Sequence, residues 1–178
     1  MALPTNLGTE SIGRLLRQYA VPAIVAMTAS SLYNMIDSIF IGQGVGPLAI
    51  SGLAVTFPFM NLAAAFGALV GVGASTIVSV KLGQKDYASA RKALGNVVAL
   101  NIIIGVAFMA VSLLFLDKIL LFFGASENTL QYAREYMEII LYGNVVTHMY
   151  LGLNAVMRSG GHPQRSMAMT ILTVILNA

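Results

Sequence analysis

The chain has 178 residues, 57% of them hydrophobic and only 10% charged, where an ordinary soluble domain carries roughly a quarter charged. With a mean hydropathy of +0.80, this composition excludes a soluble globular domain and defines an integral membrane protein. The net charge of +3 does not make it a nucleic-acid binder, since the basic residues lie in short loops beside apolar segments, and the absence of cysteine excludes disulfides, thiolate metal sites and a cysteine nucleophile.

A bilayer-spanning helix needs about 20 predominantly apolar residues. Four segments qualify, at about 15–41, 48–80, 94–116 and 132–157, and a fifth, 166–178, is still apolar where the sequence stops. The expected fold class is an all-α membrane protein, a polytopic bundle of about five transmembrane helices. The unfinished fifth segment gives the whole of 1–178 the look of a fragment. Arg14 and Arg17 precede the first segment, Lys81, Lys85, Arg91 and Lys92 follow the second, and Arg158 and Arg165 follow the fourth. The opposite loops carry Lys118 and Arg134. The positive-inside rule therefore predicts a cytoplasmic amino terminus.

The first segment bears the chemistry. A cleavable signal peptide competes for it, but the apolar stretch outruns an h-region and contains Pro22, so it is expected to remain as a helix. Ser30, Tyr33, Asn34 and Asp37 recur at i, i+3, i+4 and i+7, which predicts one polar helix face. An ionised Asp at the bilayer centre costs about 2.5–3.5 kcal/mol on insertion scales, so this face must look toward protein or water. A helix–helix hydrogen bond or a wet position near the outer interface would account for Asp37 without function. A carboxylate can equally take up a proton, and carboxylate with amide oxygens suits a hard cation such as Na⁺, which makes Asp37 the candidate metal ligand. Pro22 removes a backbone hydrogen bond and supplies a place to bend.

In the second segment Ala63, Gly67, Gly71, Ser75 and Ser79 are spaced by four, a small-residue ridge that predicts close helix packing rather than a site. The glycines of residues 42–46 lack the order and the preceding strand of a dinucleotide loop and read as a tight outer turn. Asn61 and Asn101 are single amides suited to interhelical hydrogen bonds. In the fourth segment Asn144, Thr147, Leu151 and Asn154 form a second stripe beside His148. A proton relay is one reading of that histidine, and a neutral, hydrogen-bonded imidazole is the preferred one. Asn177 is the last polar residue of the fifth segment, and these amides are candidates to line a cavity with Asp37.

Residues 33–42, Tyr-Asn-Met-Ile-Asp-Ser-Ile-Phe-Ile-Gly, resemble the first-helix signature of the multidrug and toxic compound extrusion transporters. Residues 157–161, Met-Arg-Ser-Gly-Gly, resemble the loop after that family's fourth helix, with Ser159 in place of the usual alanine. Pro22, Pro58 and the 81–86 loop also fall where that pattern places them. The resemblance implies the amino-terminal lobe of a transporter whose full fold has twelve helices in two lobes, with the missing carboxyl-terminal lobe of the same chain as partner. It implies secondary antiport in the plasma membrane, exporting small-molecule drugs or toxic organic cations in exchange for H⁺ or Na⁺, with no other cofactor and no enzymatic activity. By the same resemblance Asp37 and Asn177 are coupling-ion residues, Tyr33, Asn34, Asn154 and Asn177 line the substrate cavity, and Pro22 is a helix bend. In one branch a second acid follows the fifth-helix asparagine by four residues, a position past Ala178, so H⁺ and Na⁺ both stay open. Three alternatives are weighed. A lipid-linked oligosaccharide flippase would need basic residues in the cavity, and none sits inside an apolar segment. An intramembrane aspartyl protease needs two opposed acids. A small membrane subunit would require the 178 residues to be complete.

Overall fold

A computed structural model describes residues 10–177. They form six helices and, among the described residues, no strand: α1 (Ile12–Gly44), α2 (Pro47–Gly83), α3 (Tyr87–Leu114), α4 (Leu116–Phe122), α5 (Glu127–Ser159) and α6 (Pro163–Asn177). Four of them, α1, α2, α3 and α5, are long and apolar enough to cross a membrane. The chain is an all-α polytopic membrane bundle. The helices over the expected spans extend beyond them at most ends, as capped helices running into the polar boundary do. The third is the exception, because the apolar run expected to 116 breaks at Leu114 and residues 116–122 become the separate helix α4.

Local chemistry sets the ends. Gly46, at φ 110°, turns the chain out of α1, and Pro47 starts α2, where its missing N–H costs nothing. Asp86 caps α3 by accepting the Ser89 backbone N–H at 3.0 Å. Ser126 and Thr129 tie off the start of α5: the Ser126 N–H donates to Thr129 Oγ1 at 2.9 Å, the Thr129 N–H donates to the Ser126 carbonyl at 3.0 Å, and the two hydroxyls are 3.1 Å apart.

The core is a tight triad of α2, α3 and α5. At one end Phe59 of α2 meets Leu116 and Leu120 of α4 and Ala133, Met137 and Leu141 of α5; at the other Val78, Val97 and Val156 meet. In lipid, apolar burial brings little hydrophobic gain, so backbone proximity and hydrogen bonds carry the association. The small-residue ridge provides that proximity. A Cβ on Gly71 would run into the backbone of Gly152, and one on Gly152 would run into the Asn101 amide. Gly67 lies under His148, and Ser79 Oγ donates to the Ser159 carbonyl at 3.1 Å. His148 is fully buried, its Nε2 3.0 Å from the Ala63 carbonyl. Asn144 is buried as well and donates to the Gly105 carbonyl at 3.4 Å.

Helix α1 is attached differently. Pro22 is its one buried residue among those described, it packs chiefly on α6, and it touches α2 only lightly. Helix α6 in turn rests on α5. The molecule is thus a closely packed three-helix core with a two-helix layer, α1 and α6, attached to it mainly through α6 and α5.

Candidate functional site

Two clefts border α1. The first, of about 360 Å³, is lined by Ala29, Leu32, Tyr33, Ile36, Asp37 and Phe40 of α1 and by Val174 of α6. Asp37 is the one charged side chain lining it, and its carboxylate makes no hydrogen bond or ion pair among the described residues. Tyr136 of α5 lies near enough to feel the charge of Asp37 and the phenol of Tyr33. The cleft thus holds one carboxylate and one phenol, those of Asp37 and Tyr33, among apolar walls, with Tyr136 within electrostatic reach but outside the lining. Such a group can hold a proton or attract a cation, and it leaves the acid accessible to one.

The second cleft, of about 510 Å³, is lined by Pro22 and Ser30 of α1, by Tyr150, Asn154 and Arg158 of α5 and by Ser166 and Thr170 of α6, among others. Here the polar groups satisfy one another. Ser166 Oγ donates to Asn154 Oδ1 at 2.6 Å, Asn154 Nδ2 donates to the Ser166 carbonyl at 3.2 Å, and the hydroxyls of Tyr150 and Thr170 are 2.6 Å apart. Asn154 is thereby committed to holding α6 on α5.

The structure brings Tyr33 and Asp37 together, and Pro22, Ser30 and Asn154 together, but in different clefts. Asn34 lines neither: it is exposed, and its carbonyl accepts Ser38 Oγ at 2.9 Å. Asn177 ends α6, and its side chain lies outside the described residues. The expected stripe on α5 divides, with Asn144 facing the triad and Asn154 facing α6. Tyr136 was not found from the sequence. Its only signal is a tyrosine beside acids at the same end of the bundle as Asp37.

Fold and site together define a class: a polytopic helical membrane bundle in which a long helix held lightly by the core carries, in a cleft, an acid with no ion pair among the described residues. The family model MatE matches residues 22–178, and the chain belongs to that family. It is 28% identical over 168 residues to the Multidrug export protein MepA of Staphylococcus haemolyticus (strain JCSC1435), covering 94% of this chain and 37% of that protein. A solved structure of the MATE multidrug transporter DinF-BH superposes with a TM-score of 0.91 at 30% identity, over 99% of this chain and 40% of that one. An outward-facing multidrug resistance MATE family transporter of the MOP superfamily gives 0.84 at 26% identity, over 91% of this chain and 36% of that one. The chain spans a little over a third of the length of these relatives.

Proposed function

We propose that this chain supplies the amino-terminal lobe of a secondary antiporter that exports cationic or amphipathic drugs and toxic organic compounds in exchange for H⁺ or Na⁺. The protein would sit in the plasma membrane with its amino terminus cytoplasmic, and it acts as a transporter, not an enzyme. The second lobe of the same protein completes the path. The observation that carries this reading is Asp37: a carboxylate with no hydrogen bond or ion pair among the described residues, in a cleft, on the one long helix that the triad holds only lightly.

The physics of coupling follows from that attachment. When Asp37 is charged, it favours a cation beside it and resists closure against apolar walls. A proton or Na⁺ taken up at the carboxylate neutralises it, with the phenol of Tyr33 in the same cleft and that of Tyr136 within electrostatic reach. Helix α1 can then repack, bending at Pro22, while α2, α3 and α5 stay as they are. Drug and ion exclude one another because each favours a different arrangement of α1, which is what coupling between two ligands requires. Asn154 acts here by holding α6, against which α1 moves.

The test is Asp37→Asn in the full-length protein, with export of a cationic dye driven by an imposed H⁺ or Na⁺ gradient. Loss of gradient-driven export with normal expression is expected. Export at the unaltered rate sinks the assignment. Arg158 gives the flippase alternative one specific support, since it puts a base on the rim of the second cleft. Tight binding of a lipid-linked pyrophosphate by the purified full-length protein, lost in Arg158→Ala, would favour that reading instead.

A further inference from the structure

The chain between α3 and α5 carries apolar side chains on two sides. Leu116 and Leu120 of α4 are buried against Phe59 and α5. Asp117 turns to α5, where its carboxylate is 3.3 Å from Arg134. On the remaining side Leu114 is 78% exposed, Phe115 50%, Leu121 49% and Phe122 85%. Leu114 ends α3 and the other three follow it; α3 is long and apolar enough to cross a membrane, and its Val106 and Val111 are likewise exposed. Contiguous apolar surface of this kind on a protein marks a contact with something apolar. Here the neighbouring surface already belongs to the bilayer.

We infer that α4 is a membrane-interface anchor, with Leu114, Phe115, Leu121 and Phe122 set among phospholipid acyl chains just below the headgroups. Three features fit that occupant better than a protein partner. A helix of seven residues is about 10 Å long and cannot cross the bilayer, yet it is joined directly to one that does. Its Lys118 ammonium lies 5.7 Å over the Phe115 ring, an arrangement that lets an apolar body enter lipid while the charge stays at the headgroups. The Asp117–Arg134–Glu138 ion pairs, at 3.3 and 2.9 Å, lie on exposed side chains and form a wet edge opposite the apolar one. Phe122 also stacks edge-on against Phe123, which meets Phe59 at 6.0 Å, so the anchor is tied into the triad. That the leaflet is the outer one rests on the orientation proposed above; the insertion itself does not.

The test is nitroxide labelling of Phe122→Cys and Leu114→Cys in the full-length protein, with any cysteine outside these 178 residues replaced, reconstituted in phospholipid vesicles. Gln131→Cys, on an exposed polar position of α5, is the aqueous reference. The ratio of collision rates with oxygen to those with a water-soluble nickel chelate should be several-fold higher at 122 and 114 than at 131. Equal ratios at all three positions would overturn the anchor. Shielding of 122 and 114 from both reagents, as under a protein partner, would overturn it too. Either result leaves the Asp37 assay untouched, so the two readings fail separately.

Discussion

Asn154 and Ser166 hold each other by a reciprocal pair of hydrogen bonds, at 2.6 and 3.2 Å, across the contact between α5 and α6. Hydrogen bonds between membrane helices average about 0.6 kcal/mol each, so Asn154→Ala, which also loses a 3.5 Å contact to Thr170 Oγ1, should weaken the contact by about 1–2 kcal/mol. Because α1 hangs on α6, amide exchange in the full-length protein should speed up in α1 and α6 and stay unchanged in α2, α3 and α5. Uniform acceleration would mean that the two layers are one cooperative unit.

Gly71 and Gly73 separate packing from propensity. Both gain a little helix propensity as alanine, but only at position 71 does the new methyl meet backbone, that of Gly152; nothing lies within 4 Å of position 73. Gly71→Ala should destabilise by about 1–3 kcal/mol and lower the thermal midpoint, with Gly73→Ala neutral or slightly stabilising. Equal midpoints for the two variants would show that the α2–α5 contact is looser than it looks.

Tyr136 is a half-buried phenol within electrostatic reach of Asp37. Tyr136→Phe removes one oxygen and almost no volume, so folding should be unaffected. The H⁺ or Na⁺ concentration giving half-maximal dye export should shift, while export at saturating gradient stays near that of the unmodified protein. An unchanged ion dependence would make the proximity incidental.

Asp86 supplies a pH prediction outside the membrane segments. The Ser89 backbone N–H, then its hydroxyl, and then the charge of Lys81 hold its carboxyl below the usual 3.8. A depressed folded-state value means that the cap is fully present above the unfolded-state value and is lost as pH falls through the lower, folded one. The Ser89 amide resonance should therefore titrate with a midpoint below 3.8 and show no such titration in Asp86→Asn. A midpoint at or above the ordinary value would mean that the cap does not form.

Much of this was legible in the sequence, and the misses have geometric causes. The spans, the acid on the first helix and the small-residue ridge follow from composition and spacing alone, because they need only one helix at a time. Helix α4 was hidden because the apolar run of α3 continues through Phe115 and Leu116, and the charged pair Asp117 and Lys118 then leaves an apolar stretch too short to read as a span. Helical period groups Asn34 with Asp37, but of that polar face only Tyr33 and Asp37 line the first cleft. Asn144 and Asn154 lie ten residues apart, about 80° short of three full turns, enough to send one into the triad and the other to α6. Tyr136 depends on how closely α5 approaches α1, which no periodicity encodes.

The attachment of α1 has a consequence for biogenesis. Translation delivers α1 to the bilayer before the triad, whereas α6, the partner that holds it, emerges only after α5. Throughout that interval α1 has no settled neighbour, and its carboxylate faces lipid or the insertion machinery. Long-range pairing of this kind slows folding and exposes intermediates. The carboxylate proposed here to take up an ion is therefore the one most dependent on shelter while the protein is being made.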